Sequence, residues 1–459
     1  MYAMASLWLE SALLPEGWAR DVRLTETNGR IERVLTAVAP TAGDERHRIG
    51  VPGLGNLHSH AFQRGLAGLT ERRGSEADSF WTWRELMYRF LERVGPEELE
   101  VLATLAFIEM LEGGFTRVGE FHYLHHDRDG RPFAEPGELA GRLAAAAAHS
   151  GIGLTLLPTL YAHGGFGGAS PGERQRRFIN DPEGFARIVE ATRRSVAALP
   201  GACVGVAAHS LRAVTPAELA EVAALAHGGV IHLHIAEQLR EVDDCLAWSG
   251  RRPVEWLLEN APVDERWCLV HATHVTAAEL EGVAARGAVV GLCPVTESSL
   301  GDGIFPGVQF LAAGGRWGIG TDSNIRIDAA EELRTLEYSQ RLAHRARNVL
   351  APAAGVSTGR ALYDAALAGG WQALRPPGVG GAVGLAAGAP LDLVTLAADH
   401  PSLIERRGDE ILDSWIFAGD RGLVDCVWRD GKKLVSGGQH RHRAASEVRY
   451  REALRTLLA

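Results

Sequence analysis

The chain has 459 residues, of which 46% are hydrophobic and 23% are charged. These are the proportions of a soluble globular protein, so disordered, coiled-coil and fibrous classes are excluded. The net charge of −10 argues against nonspecific binding to nucleic acid or to an anionic membrane surface.

Short apolar runs alternate with amphipathic segments from about residue 50 onward, which is typical of repeated strand–helix units. The helical segments include 96–113, 216–227 and 329–345, several of which open with proline or an acidic first turn. The candidate strands are 50–57, 116–123, 153–160, 203–209, 230–236, 267–272, 288–293 and 316–320. Eight such units predict an α/β fold, a (β/α)8 barrel whose chemistry lies at the C-terminal ends of the strands.

The two ends of the chain differ from this pattern. Residues 1–50 and 385–459 carry short alternating pieces, and Asp430-Gly431 is typical of a hairpin turn. We therefore expect residues 1–50 and 385–459 to pair into one small β domain, with the barrel over 51–384.

The chain is expected to be a cytoplasmic protein. No stretch supplies the roughly 20 uninterrupted apolar residues of a membrane span, and the N-terminus lacks the pattern of a secretion signal. The five cysteines are scattered and odd in number, which favours reduced thiols over a disulfide framework.

The strongest local signal for chemistry is the sequence Asn56-Leu57-His58-Ser59-His60 at the end of the first strand. Side chains at i and i+2 of a strand share a face, so His58 and His60 can bind one metal, although two histidines could also simply cap a strand. Later strands end in VIHLHIAE, LVHATH and GIGTDS, which contain His234, Glu237, His271 and Asp322. We predict that His58, His60, His234 and Asp322 hold a divalent metal ion that activates water.

This combination resembles the amidohydrolase superfamily, whose members share a metal-bearing (β/α)8 barrel and a small β-sandwich made from both termini. Binuclear members commonly bridge two metals with a carboxylated lysine after the fourth strand. Lys432 and Lys433 are the only lysines of this chain. The resemblance therefore implies one metal ion per subunit.

Longer segments resemble the family of formimidoylglutamate deiminases within that superfamily; examples are NLHSHAFQR, DSFWTWRELMYR, HSLRAVTP, EVDDCLAWSGRRP and LGDGIFP. The resemblance implies hydrolysis of N-formimino-L-glutamate to N-formyl-L-glutamate and ammonia in histidine degradation, with one Zn²⁺, in a homodimer. One departure is Asn324, where the resemblance predicts a histidine.

Roles follow for the catalytic residues. Asp322 can accept the proton of the attacking water, and His271 can stabilise charge at the attacked group. Glu237 can hold a cationic formamidine and carry a proton to the departing ammonia. The resemblance assigns these same roles.

A glutamyl substrate also brings two carboxylates, for which arginine is the best-matched side chain. Arg84 and Arg212 stand at the catalytic end of the predicted barrel, and the resemblance marks them, with Tyr123 and His209, as carboxylate-binding residues. The resemblance places Gln63 near the formimino group. Trp81 and Trp83 are expected to pack the first loop, and His163 lies in a Gly-rich loop that could act as a lid.

Several alternatives remain open. A deaminase of the same superfamily could act on an aminated heterocycle such as guanine, although the paired arginines argue against a neutral ring. The chain could also be a catalytically inactive barrel that serves as a scaffold or interaction protein, but such a protein would have no need to keep every ligand. The same substrate could instead be cleaved to glutamate and formamide, because the bond that breaks depends on which nitrogen is protonated. The metal is also open, since the four ligands suit iron or manganese as well as zinc.

Overall fold

The computed structural model describes residues 5–74, 78–375 and 383–459. Its strands are β1 (Ala5–Leu14), β2 (Gly17–Thr27), β3 (Arg30–Leu35), β4 (Asp44–Pro52), β5 (Leu54–Ser59), β6 (Phe115–His122), β7 (Gly153–Leu160), β8 (Cys203–Val204), β9 (Val206–Ser210), β10 (Ile231–Ile235), β11 (Trp267–His271), β12 (Val289–Leu292), β13 (Arg316–Ile319), β14 (Leu393–Leu396), β15 (Val424–Arg429), β16 (Lys432–Ser436) and β17 (Gln439–His440). The α-helices are α1 (Phe80–Leu91), α2 (Pro96–Glu112), α3 (Glu138–Ser150), α4 (Pro182–Val196), α5 (Pro216–Leu225), α6 (Leu239–Ser249), α7 (Pro253–Asn260), α8 (Ala277–Arg286), α9 (Pro294–Leu300), α10 (Gly307–Ala312), α11 (Ala329–His344), α12 (Thr358–Leu374), α13 (Glu410–Ala418) and α14 (Arg443–Leu458). Short 3-10 helices cover Ala61–Leu66, Glu173–Gln175 and Arg421–Leu423.

The central sheet is the predicted parallel barrel. Its strands are hydrogen-bonded in the order β5-β6-β7-β9-β10-β11-β12-β13, with β8 paired to β7. The barrel closes where the segment after β13 meets β5, through a parallel bridge between Ser59 and Asp322. The (β/α)8 prediction is confirmed, and the C-terminal ends of all eight barrel strands lie at one face.

Two predicted strands are interrupted by glycine. The segment 50–57 divides between β4 and β5 at Gly53, where an added Cβ would lie 2.2 Å from the Thr116 Cγ2 atom. The segment 203–209 divides at Gly205, whose added Cβ would lie 2.6 Å from a Val230 methyl. In both places a neighbouring element comes so close that only glycine fits, and this tertiary contact is not visible in local periodicity.

The ends of the chain form a second sheet, as predicted. Its strands follow the order β17-β16-β15-β14-β4-β1-β2-β3, with β1 and β4 parallel and the other neighbours antiparallel. Asp430 and Gly431 have φ of 51° and 75° and make the expected turn between β15 and β16. A separate apolar core, which includes Leu9, Leu24 and Leu393, lies within this sheet.

The domain boundaries at residues 50 and 384 stay a prediction. β4 continues to Pro52, and the C-terminal segment ends in α14, a helix whose Tyr450 hydroxyl donates a hydrogen bond to the Arg64 carbonyl in the barrel's first loop, over 3.1 Å. In the described parts of the chain, no helix combines the length and apolar character that crossing a membrane requires.

Candidate metal and substrate site

Four predicted ligands converge at the C-terminal face of the barrel. The Nε2 atom of His58 lies 3.2 Å from that of His60 and 3.0 Å from that of His234. The Asp322 Oδ1 atom lies 3.5 Å from His58 Nε2 and 3.3 Å from His60 Nε2. All four side chains are buried, and their ligand atoms lie within 4.8 Å of one another.

The hydrogen bonds behind these rings fix how two of them face the centre. Nδ1 of His60 donates to the Phe121 carbonyl over 2.9 Å, and Nδ1 of His234 donates to the His209 carbonyl over 2.8 Å. A neutral imidazole that donates through Nδ1 carries a lone pair on Nε2, so both rings direct a lone pair inward.

This donor set fits a divalent cation. Two nitrogens bound to one tetrahedral zinc ion would lie about 3.3 Å apart, close to the observed separations. Burial lowers the pKa of His58 to about 3 and lowers the pKa values of His60 and His234. Burial works to raise the pKa of Asp322, but its hydrogen bond to His58 and the neighbouring imidazoles outweigh burial and lower it. Three neutral imidazoles and a carboxylate are therefore available.

His271 and Glu237 lie beside this group. The His271 Nε2 atom is 3.8 Å from Glu237 Oε1 and 4.0 Å from Asp322 Oδ2. On its other side, His271 Nδ1 lies 3.2 Å from Oε1 of Glu297, which also accepts a hydrogen bond from the Cys293 backbone N–H. Burial works to lower the pKa of His271, but Glu237, Glu297 and Asp322 outweigh it and raise the pKa, which favours the imidazolium. Burial raises the pKa of Glu237.

Two of these residues have unusual backbone conformations. His271 has φ of 69° and Asp322 has φ of 41°, both in the left-handed region that non-glycine residues rarely adopt. Each such residue costs on the order of 1–3 kcal/mol and is found mainly where function requires its placement. Both residues lie at or just after the end of a barrel strand, β11 or β13.

A cavity opens over the ligand group. Ten of the eleven predicted site residues line it, and His58 lies behind His60 and His234. The ten are His60, Gln63, Arg84, Tyr123, His209, Arg212, His234, Glu237, His271 and Asp322.

The far wall of the cavity carries positive charge. The Nε atoms of Arg84 and Arg212 are buried without a hydrogen-bond partner among the described residues. Neither guanidinium forms an ion pair with a carboxylate in the described parts of the chain. Two guanidiniums without a close carboxylate partner in a cavity are suited to an anionic ligand.

Between the arginines and the metal group lie three further predicted residues. The Gln63 amide donates to the Tyr123 hydroxyl over 3.3 Å, and the Gln63 Oε1 atom is buried without a partner. Burial, aided by Arg212, lowers the pKa of His209 well below its usual value, so His209 is neutral.

Sequence reasoning missed seven lining residues: Phe80, Trp83, Met87, Tyr88, Tyr161, Phe178 and Leu300. Two signals could have found some of them. Phe80, Arg84, Met87 and Tyr88 share one face of a helix at i, i+4, i+7 and i+8, a pattern within α1. Tyr161 directly follows β7, at the catalytic end of a barrel strand.

Other histidines that were not predicted as ligands have structural partners. His125 and His126 contact the carbonyls of Thr159 and Ile179 through Nε2, each over 2.9 Å. His163 pairs with the carboxylate of Glu218 at 3.0 Å.

Asn324 does not line the cavity. Its amide group donates to the Ser59 hydroxyl and to the carbonyls of His60 and Asp322, and its oxygen accepts from the Thr321 hydroxyl over 2.6 Å. This side chain is fully buried and joins the segments that follow β5 and β13.

Comparisons with known proteins identify the family and similar structures. The sequence model of the Amidohydrolase family matches residues 49–434, and that described as "Formimidoylglutamate deiminase HutF, N-terminal domain" matches residues 4–48. The chain is 51% identical to the formimidoylglutamate deiminase of Pseudomonas aeruginosa, over 99% of this chain and 100% of the relative.

Two solved structures are also similar. An amidohydrolase from Brucella melitensis matches with a TM-score of 0.96 and 54% identity, over 99% of this chain and 100% of that one. An adenosine deaminase from Xanthomonas campestris with bound zinc matches with a TM-score of 0.81 and 25% identity, over 99% and 98% of the two chains.

Proposed function

The chain belongs to the amidohydrolase family, and we propose that it hydrolyses N-formimino-L-glutamate to N-formyl-L-glutamate and ammonia. One observation carries the choice of substrate. The cavity that contains the His/Asp group and Glu237 also contains Arg84 and Arg212, two guanidiniums without a carboxylate partner among the described residues. A linear amidine with two carboxylates matches both ends of this cavity.

His58, His60, His234 and Asp322 would hold one Zn²⁺ ion per subunit, because they offer three neutral imidazoles and a carboxylate. A zinc ion bound there supplies a water molecule acidic enough to act as a nucleophile at neutral pH. Metal analysis of the purified protein distinguishes zinc from iron and manganese, which the same ligands accept.

Asp322, His271 and Glu237 divide the proton transfers. The Asp322 carboxylate accepts a proton from the attacking water, and the His271 imidazolium donates a hydrogen bond toward the charge that develops at the attacked formimino group. Glu237 holds the cationic formamidine as a carboxylate. As the carbonyl of the product forms, Glu237 takes the proton of the added hydroxyl group and passes it to the terminal nitrogen, so that the bond from the formimino carbon to this nitrogen breaks and ammonia leaves.

The other end of the cavity binds the glutamyl part. Arg84 and Arg212 bind its carboxylates, assisted by the Tyr123 hydroxyl and by neutral His209. Gln63 lies closer to the metal group and contacts the formimino end through its unpartnered oxygen. The reacting carbon is thereby fixed between the ligand group and Glu237.

The test is incubation of the zinc-loaded protein with N-formimino-L-glutamate, with assay of ammonia and identification of the carbon product by mass. Ammonia with N-formyl-L-glutamate is the expected result. Formamide with glutamate would retain the site and overturn the role of Glu237. No turnover with a full metal site would refute the substrate and favour a heterocycle deaminase, and wild-type activity in His58→Ala would refute the metal-dependent mechanism.

We also propose that the protein is a cytoplasmic homodimer. The five free cysteines fit a reducing cytoplasm, and the resemblance to the deiminases supports a homodimer. Light scattering coupled to gel filtration tests the dimer: a particle of one 49.3 kDa chain would refute it.

A further inference from the structure

Trp81 lies within cation–π distance of three arginines, two of which line the cavity. The guanidinium carbon of Arg84 lies 4.6 Å from the centre of the indole, that of Arg240 lies 4.7 Å away, and that of Arg212 lies 5.7 Å away. Trp81 is the second residue of α1, and Arg240 is the second residue of α6. The sequence suggested only that Trp81 packs the first loop.

The contacts of Arg84 and Arg212 require a physical explanation. Like charges repel, and neither arginine forms an ion pair within 4 Å of a carboxylate in the described parts of the chain, although Glu241 and Glu237 attract Arg212 from a greater distance. The negative face of an indole attracts guanidinium groups at distances below about 6 Å. Trp81 therefore offsets part of their repulsion.

An aromatic ring offsets this repulsion without occupying the N–H groups of the guanidinium. A carboxylate at the position of Trp81 would occupy the N–H groups of Arg84 or Arg212 and compete with an anionic ligand. A cation–π contact gives the guanidinium N–H groups no protein acceptor, so these donors remain available to an anionic ligand.

Arg240 connects the Trp81 ring to the segment that carries Glu237. It is exposed and lies 3.6 Å from Asp244 of its own helix, while its guanidinium carbon contacts the indole. Arg240 follows Glu237 by three residues, and the segment between them is anchored by the Gln238 amide, which donates to the Asp302 carboxylate. The indole thus joins α1, which carries Arg84, to the segment that carries Glu237.

We infer that Trp81 is a specificity-determining positioning residue, whose ring holds Arg84 and Arg212 in place for the substrate carboxylates and attaches them, through Arg240, to the Glu237 segment. The inference rests on the proposed function. It predicts that loss of the ring weakens recognition of the second carboxylate more than it weakens the chemical step.

The experiment compares Trp81→Leu, which removes the ring but keeps apolar bulk, with Trp81→Phe, which restores a smaller aromatic face. Leu86→Ala, at an exposed position of the same helix, is the matched control. Each zinc-loaded protein is assayed with N-formimino-L-glutamate and with 4-(formimidoylamino)butanoate, which lacks the α-carboxylate. Binding of N-formyl-L-glutamate is measured by calorimetry.

For Trp81→Leu we expect KM for the dicarboxylate to rise on the order of 10- to 100-fold. The change in kcat should be less than about fivefold, and the preference for the dicarboxylate over the monocarboxylate should fall at least about tenfold. Trp81→Phe should recover most of this preference, and Leu86→Ala should behave as wild type. Unchanged KM in Trp81→Leu, or equal losses for both substrates, would overturn the inference.

Two further outcomes distinguish failure of this inference from misfolding of the variant and from failure of the proposed function. If Trp81→Leu does not fold, Arg240→Met removes the attachment at an exposed position; it should raise KM about threefold or more, and an unchanged KM refutes the attachment. If the wild-type enzyme does not turn over N-formimino-L-glutamate at all, the proposed function fails, whatever the variants do.

Discussion

Replacement of Glu297 by glutamine is expected to move the alkaline limb of the pH–activity profile to lower pH. Glu297 lies on the side of His271 that faces away from the cavity, with its Oε1 atom 3.2 Å from His271 Nδ1. His271 acts as a cation in the proposed reaction, so activity is present below its pKa and is lost as pH rises through it. The glutamine oxygen can still accept the hydrogen bond from Nδ1, so the substitution removes charge while the ring keeps its partner.

The geometry gives the size of the shift. Three carboxylates lie 3.2, 3.8 and 4.0 Å from the His271 nitrogens, and that of Glu297 is the nearest. At an effective dielectric constant of about 20, a unit charge at the shortest of these distances contributes about 5 kcal/mol as an upper bound. Relaxation and the retained hydrogen bond reduce this, and we expect the pKa of His271 to fall by about 1–2 units.

The assay is kcat/KM for N-formimino-L-glutamate at intervals from pH 5 to pH 10 in zinc-loaded Glu297→Gln and wild type. The acid limb, which reports Glu237, should move far less than the alkaline limb. Glu279→Gln is the matched control, because Glu279 is another buried carboxylate but pairs with Arg252 instead of His271. An alkaline limb at its wild-type position in Glu297→Gln would refute the cationic role of His271.

Three further outcomes are expected. Asp322→Asn should lower the amount of bound metal measured by mass spectrometry, and it should lower kcat/KM by more than about 100-fold. A full metal content in this variant would contradict the role of Asp322 as a ligand. Arg212→Met should raise KM for the dicarboxylate about 10- to 150-fold with kcat within a few-fold, as one charged hydrogen-bonded contact is lost; KM within twofold of wild type would count against this. Asn324→Ala should lower the free energy of unfolding by about 2–4 kcal/mol in urea titrations, since four buried hydrogen bonds are lost, and an unchanged midpoint would contradict its structural role.

The barrel and the convergence of the four proposed ligands were predictable because their signals are local. Eight short apolar runs are each followed by a helical pattern, and a parallel barrel brings the C-terminal ends of its strands to one face. His58, His60, His234 and Asp322 each stand at such an end, so strand position alone brings side chains 264 residues apart in sequence into one site. No long-range contact had to be guessed, since the topology supplies it.

Other features depend on contacts that the sequence does not display. Glu297 lies in α9, beyond the end of β12, and only the three-dimensional fold places it behind His271. Trp81 sits in a helix within a long loop, and a tryptophan in such a position is more often packing than function. Gly53 interrupts a continuous apolar run because Thr116 approaches it, a contact that exists only after the barrel has closed.

The position of the ligands also connects the fold to the chemistry. His58 and His60 belong to the first barrel strand and the turn after it, whereas Asp322 follows the last, and these segments meet through backbone bonds from Thr321 and Asp322 N–H to the His58 carbonyl and from His60 N–H to the Asp322 carbonyl. Asn324 adds side-chain bonds across the same junction. A metal ion bound by both segments would join them a third time, so metal binding and barrel closure stabilise each other. The strained φ of Asp322 is then a cost of aiming a carboxylate across this junction, and the interactions on both sides of it offset that cost.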